Sequence, residues 1–442
     1  MARGTRRVTR RNFLKLSAGG AAAAGTGGLA GILASGRAPA FAQGTQLHWL
    51  RWSDFVPASD ELLRKTLVPE AEKALGAKIR LENINANDIQ ARITSSVQSG
   101  TGPDIIMTFN NWPHLYAESV VDLSDLAAEI GGKQGGYYEL CKANTNNGRL
   151  GLPWVIIGAE MTYRKSWFDE VGVTKFPTTW DEYRAAGKKL KANGHPIGQT
   201  LAHTFGDGIT FVYPLMWSFG GREVDAAGKV VLNSKGTVES VKFMTAFWKE
   251  AHDEGGISWD DTGNNRAFLS GTISSTLNGA SIYIESLRKP DSYTTEKGAP
   301  LKTDILHAPM PGGPAGTFAL HPFQAHMLMA YSKNQKPAKD LLRWIHEPKN
   351  YDQWFISQKG FGTGPTAAWE KSKMWEEDPV MGPFRVAGTL GRTPGLDGPP
   401  NRKAAEVLTK YIITDMYAKA VQGMSAEDSV KWAHDELVKI YV

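Results

Sequence analysis

A single cysteine, Cys141, in 442 residues removes several classes of protein at once. One thiol makes no intrachain disulfide. It supplies neither the ligand set of an iron–sulfur cluster nor a Cys-x-x-Cys-His haem site. No cysteine lies near the start of the chain, which argues against a lipid anchor there. Cys141 therefore reads as a small buried hydrophobe. The ten histidines show no paired metal spacing, and Gly-x-Ser-x-Gly, His-Glu-x-x-His and the Walker loop are all missing. No cofactor, metal or catalytic residue is expected. A secreted glycoside hydrolase survives as an alternative, because it needs only two carboxylates and spacing in sequence does not reveal them. Beyond the first 42 residues, low-complexity stretches, internal repeats and Lys/Arg clusters are also missing, so nucleic acid is not an expected partner.

The first 42 residues lack acidic side chains altogether yet hold seven basic ones: Arg3, Arg6, Arg7, Arg10, Arg11, Lys15 and Arg37. An uncharged Gly/Ala-rich run over 16–36 follows, then Ala40-Phe41-Ala42 ahead of Gln43. This is the three-part layout of a secretory signal, with cleavage expected near Ala42-Gln43. Thr9-Arg10-Arg11-Asn12-Phe13-Leu14-Lys15 matches the twin-arginine motif, which makes the twin-arginine export machinery an expected partner of the precursor. A membrane anchor is the alternative, but Gly and Ala are weakly apolar and no stop-transfer charges follow. Fifty Lys and Arg less those seven leaves 43, against 45 acidic residues, so the rest of the chain carries about −2. The basic isoelectric point belongs to the signal.

About 400 residues remain, enough for two to three domains. Residues 47–51 read as a strand. Ser59 is the expected cap of a helix with Leu63, Leu67, Ala71 and Leu75 on one face and a possible kink at Pro69. Residues 78–84 alternate as a strand. Asn87 is the expected cap of the next helix, striped by Ile89, Ile93 and Val97 and ended by Gly100. Residues 103–108 form a short buried strand. This order implies a parallel sheet. The same grammar resumes after residue 160: a capping box at Thr179-Trp180-Asp181-Glu182, a helix along Val238 to Ala251, a strand over 272–277, Pro337 in a first turn, and a last helix opened by Ser425 and Asp428. The fold class is α/β with at least two sheets, whose strand ends carry the ligand loops.

Several segments, in order, resemble the family 1 extracellular solute-binding proteins, the group that includes maltose- and other sugar-binding receptors. They are Gly100-Thr101-Gly102-Pro103-Asp104-Ile105-Ile106, 148–163 (GRLGLPWVIIGAEMTY), 176–183 (FPTTWDEY), 267–279 (AFLSGTISSTLNG), Met310-Pro311-Gly312-Gly313 and 332–345. Tyr163-Arg164-Lys165-Ser166 and Ser274-Ser275 depart from the family pattern. Trp52-Ser53-Asp54-Phe55-Val56-Pro57 is similar to the opening of polyamine-binding receptors, which hold cations with carboxylates.

The resemblance implies a two-lobed periplasmic-binding-protein fold of the class II type, each lobe a mixed, mostly parallel sheet flanked by helices, with the ligand cleft between them. The expected N-lobe is 43–155 plus 309–365, and the C-lobe 156–308 plus 366–442. It also implies a monomer in the periplasm that delivers a small polar ligand, foremost a mono- or oligosaccharide, to the transmembrane permease of an ABC importer. A polyamine or other small-solute receptor of the same fold is the alternative.

Fourteen tryptophans suit a sugar site, since an indole covers the apolar face of a sugar ring. Trp180, Trp248, Trp344 and Trp432 lie in helical stripes and read as core. Trp52 and Asp54 follow the first strand, and Asn110, Asn111 and Trp112 the third; an Asn-Asn turn is the plainer reading of the latter. Trp217, Asn278 and Gly279 are expected to face them from the second lobe. Phe323 is a candidate wall, Gly362 in 360–365 (GFGTGP) a point of close backbone approach, and Glu160 a ligand carboxylate or the partner of a lobe-crossing amide.

Overall fold

The computed structural model describes residues 45–442. The twin-arginine motif and the cleavage position at Ala42-Gln43 lie outside the described residues.

Strand β1 (Gln46–Trp52) runs parallel to β3 (Ile105–Phe109), with Trp49 opposite Ile105. All five residues of β3 are buried, as expected of a strand covered on both faces. β2 (Lys78–Ile84) is an edge strand, and its charged residues alternate with Ile79 and Leu81. The sheet is completed by β8 (Phe323–Leu328), β4 (Leu152–Ile157) and β9 (Gly362–Thr363), in the order β2-β1-β3-β8-β4-β9. The chain then passes through Gly158-Ala159 into a second sheet, where β5 (Glu160–Arg164) lies between β6 (Ser275–Asn278) and β7 (Ile305–Ala308). Residues 309–322 carry it back to β8.

Strand direction departs from the expected pattern. β8 returns from the second sheet and pairs antiparallel with both β3 and β4, and both pairings of β5 are antiparallel. Each sheet is therefore more antiparallel than a strand–helix–strand order suggests, because a strand arriving from the other lobe need not enter in the direction of its neighbours.

Two caps also differ. The first helix begins at Pro57, and Ser59 sits inside it with its hydroxyl donating to the Val56 carbonyl at 2.9 Å. A π-helical turn over Leu63–Leu67 precedes Pro69, whose ring and missing N–H disturb the regular ladder one turn earlier. The helix Ala86–Ser99 is capped by Asn85, which accepts from the Asn87 N–H at 2.9 Å; Asn87 is already inside it. The capping box at Thr179 and the caps at Ser425 and Gly100 stand as the sequence implies.

Buried polar clasps hold each sheet. Asp104, from the Pro-Asp motif, accepts from the His48 N–H at 2.8 Å and from the Ser332 hydroxyl at 2.6 Å, joining β1 to the turn after β8. In the second sheet Arg164 donates to Asp304 at 2.7 Å, and Asp304 also accepts from Ser166. The Arg-Lys-Ser departure from the family pattern thus builds a buried ion pair. Hydrogen bonding to both ends is what such a pair needs to offset its desolvation.

Candidate ligand-binding site

The strands of both sheets end at a common cavity. Trp52 closes β1, Ile157 closes β4, and Phe361 precedes β9. From the second sheet come Asn278, the last residue of β6, and Gly279 after it. A Cβ added at Gly279 would sit 2.9 Å from Ile157 Cγ2, so the two lobes approach here as closely as glycine allows. The cavity has a volume of about 20 Å³, and a neighbouring one of about 70 Å³ shares Trp52, Phe55, Phe205 and Asp261 with it. The first holds little more than one water. Outside them, an open groove of about 590 Å³ runs past Phe55, Thr262, Arg266 and Ser281, within the size range of small-molecule sites.

Aromatic rings fill the inner space. Phe205, from the loop ahead of the helix Asp207–Ser218, inserts among rings of the other lobe: 4.8 Å from Phe109, 5.6 Å from Trp52 and 6.4 Å from Phe55. Trp52 in turn stacks on Phe361 at 6.2 Å. The Phe205 backbone N–H donates to Asn87 Oδ1 at 3.3 Å, a polar tie beside the ring contact. A solute that enters between these rings must part them, so entry requires the lobes to open before they close on it.

The polar wall is acidic. Asp207 and Asp261 both line the cavity, and Asp261 is only 4% exposed. The Asp207 N–H donates to Asp261 Oδ1 at 2.8 Å, so Asp261 caps the helix Asp207–Ser218, where Gly206 supplies no side chain. The Oδ2 atoms of both residues are buried without a hydrogen-bond partner. Burial, and then the Asp261 charge beside it, pushes the Asp207 carboxyl well above the usual carboxylate range. Burial raises Asp261 likewise. Asn278, which lines the same cavity, is already engaged, donating to Asn265 Oδ1 at 2.6 Å and accepting from the Ser281 hydroxyl at 3.1 Å.

Of the residues singled out in the sequence, Trp52, Asn278 and Gly279 line this cavity. Asp54 turns away: its carboxylate accepts from the Val56 N–H at 2.9 Å and from Gln358 Nε2 at 3.0 Å. Asn110 adopts φ 47° and clasps β8, its N–H donating to the Phe323 carbonyl and its Oδ1 accepting from the Phe323 N–H. Asn111 is buried beside it. Trp112 packs edge-on against Phe109 at 5.5 Å, one ring removed from the cavity. Phe323 lies in a separate cluster with Cys141 and Ile156. Trp217 is wholly buried, its Nε1 donating to Glu223 at 3.0 Å. Gly362 pairs with Ile157, and a Cβ there would meet Val155 Cγ2 at 2.8 Å. Glu160 is buried opposite Asn278 in register, and burial pushes its carboxyl up.

Sequence reasoning passed over Phe55, Phe205, Phe361, Asp207 and Asp261. Phe55 and Phe361 sat inside stretches that had been singled out for their neighbours. Phe205-Gly206-Asp207 offered a weaker signal, a glycine directly before an apolar helix with no capping side chain.

The family profile for bacterial extracellular solute-binding proteins matches residues 58–352. A probable ABC transporter-binding protein of Deinococcus radiodurans is 26% identical over 255 residues, 55% of this chain and 58% of that protein. The chain thus spans somewhat over half the length of that relative. The diacetylchitobiose binding protein DasA of Streptomyces coelicolor is 28% identical over 148 residues, 32% of this chain and 34% of DasA. Among solved structures, maltose-bound MalE3 of T. maritima superposes with a TM-score of 0.73 at 22% identity, covering 89% of this chain and 99% of MalE3. The acarbose-binding GacH receptor of Streptomyces glaucescens gives 0.74 at 17% identity, covering 90% and 98%. These are two-lobed binding proteins, and the likeness extends over both sheets described above. The profile match covers well over half the sequence, and the chain belongs to the bacterial extracellular solute-binding proteins.

Proposed function

We propose that this chain is the receptor of an ABC importer, holding a small polar solute, foremost a sugar, between its two lobes and presenting it to the membrane permease. The observation that carries the reading is the cavity at the strand ends of both sheets, walled by Trp52 and Phe361 on one side and by Asn278, Gly279 and Asp207 on the other. Ring faces cover the apolar face of a sugar, and carboxylates and amides accept and donate to its hydroxyls. The sugars bound by the structural relatives are consistent with that wall. Residues 43–155 with 309–365 would form one lobe, and 156–308 with 366–442 the other. Export by the twin-arginine route to the periplasm, and a monomeric receptor, complete the reading.

The test is calorimetric titration of the chain with mono- and oligosaccharides, beside X-ray scattering of the same samples. A ligand that binds and shrinks the radius of gyration supports closure on the solute. Saturating binding with an unchanged scattering curve counts against it. For export, changing Arg10 and Arg11 to Lys should hold precursor in the cytosol.

A further inference from the structure

Charge is distributed unevenly around the inner cleft. The two inner cavities are lined by Asp207, Asp260 and Asp261, and no lysine, arginine or histidine lines either of them. Asp260 is exposed and already meets Arg266 at 3.3 Å in the outer groove. Asp207 and Asp261 have no such partner. Asp261 spends Oδ1 on the helix end, while its Oδ2 and that of Asp207 are buried at the cavity wall with nothing to accept from. Buried carboxylates are ordinarily paired or hydrogen-bonded, because an uncompensated charge out of water is costly. A helix N-terminus eases one such charge, not two side by side.

The remaining wall points to the same chemistry. Trp52, Phe55, Phe205 and Phe361 present ring surfaces around the acids, and aromatic faces attract cations as well as covering apolar carbon. A hard metal ion is a poor fit, since it needs six or more oxygen ligands and rings supply none. No group of three or more potential metal-binding side chains occurs among the described residues. A neutral sugar would satisfy the acceptors with hydroxyls, whereas an ammonium group also offsets the charge of the carboxyls as they ionise.

We infer that the solute carries a protonated amine, held by the Asp207–Asp261 pair, with its carbon frame between Trp52, Phe205 and Phe361. The inference rests on this cavity being the solute site. Amino sugars and aliphatic polyamines share this chemistry, and they differ in whether a ring or an extended chain meets the aromatic walls.

The test titrates the chain with glucosamine and with spermidine, against glucose and N-acetylglucosamine as neutral counterparts. An aminated probe should bind, and its neutral counterpart should bind at least tenfold more weakly. Asp207→Asn and Asp261→Asn should each weaken the aminated probe by roughly 10- to 100-fold, as expected for a hydrogen bond to a charged group. Glucosamine or spermidine as the tighter probe assigns the ring or the chain. Neutral sugars binding as well as aminated ones, or Asp→Asn variants binding the amine like wild type, overturn the inference. Phe205→Ala separates the two levels. If it weakens binding while the Asp→Asn changes do not, the cavity is the solute site and only the amine assignment fails. If neither ring nor acid substitution alters binding of a probe that does bind, the cavity itself is misassigned and the inference falls with it.

Discussion

The backbone N–H of Asp207 lies 2.8 Å from Oδ1 of Asp261, so one carboxylate caps the helix whose first residue carries the other. The arrangement places two ionisable acids side by side in a space that burial has made hostile to charge. It is held by backbone geometry rather than by mutual attraction. Such a pair costs the unliganded fold stability, a cost that sites held ready for a partner commonly carry.

Asp261→Asn should therefore stabilise the ligand-free protein at neutral pH, by roughly 1–3 kcal/mol. The sign follows from the direction of the shift. A carboxyl raised on folding is favoured in its protonated form, so wild-type stability is lost as pH climbs above the ordinary carboxylate range. The advantage of Asn should shrink towards pH 4, where the folded acid is protonated and the unfolded one is about half protonated. Urea unfolding at pH 4 and pH 7 measures the gap, and an equal gap at both values would contradict the assignment.

Phe205→Ala should loosen the closed state. The ring reaches across the cleft to Phe109 and Trp52, and removing it leaves the Asn87 bond as the nearby polar tie. X-ray scattering of the ligand-free variant should give a larger radius of gyration than wild type, with melting temperature little changed. An unaltered curve would mean that other contacts hold the lobes together.

Three tryptophans should separate binding from packing. Trp52→Ala removes a wall of the cavity and should cost about 2–4 kcal/mol in ligand affinity, from lost burial and ring contact. Trp217→Ala should cost about 3–5 kcal/mol in stability and leave affinity intact in the folded fraction. Trp112, packed on Phe109 behind the wall, should fall between them, with a smaller loss of affinity than Trp52. Calorimetry paired with denaturant unfolding of all three gives the order. Equal affinity losses at Trp52 and Trp217 would show that the ring effects are not local.

His321 should make the lobe crossing acid-sensitive. Its Nδ1 accepts from the Ala159 N–H at 2.9 Å, and burial lowers its pKa to about 4. A histidine neutral in the fold but free to charge when unfolded draws protons into the unfolded state. Its contribution is intact above about pH 6.5 and is lost as pH falls towards 4, at up to about 1.4 kcal/mol per pH unit. His321→Gln, which keeps a hydrogen-bond acceptor without the titration, should flatten that part of the stability–pH curve. Raised carboxyls such as Asp54, at about 6, act in the opposite sense over the same range, so the difference between variant and wild type is the quantity to follow. A curve that keeps its slope in the variant would assign the acid loss to another group.

What could be read from residues alone was whatever depends on near neighbours along the chain. Periodicity located β2 at 78–84 to the residue, and the Thr179–Glu182 capping box opened its helix where expected. The Asn85 cap was displaced by two residues because Asn85 and Asn87 are equally good acceptors, and only the path of the preceding strand selects between them. That Trp52 and the Asn278-Gly279 pair line the candidate cavity was legible because strand ends in α/β folds carry loops that meet at one place. Asn110, Asn111 and Trp112 satisfied the same rule, yet the turn bends Asn110 onto Phe323 and sends Trp112 behind Phe109.

By itself the sequence determined the class of molecule: an α/β chain in two sheets, with segments shared with one receptor family. Each rests on local pattern or on motif order. Only the tertiary structure decided which side chains share the cleft. Phe205 and Asp207 lie more than fifty residues before Asp261 in the chain, yet all three meet Trp52 and Phe361 across two lobes. Nothing in their local sequence encodes that meeting. It follows from how two separate sheets twist and pack, which brings distant strand ends to one place and strips water from the charges that arrive there.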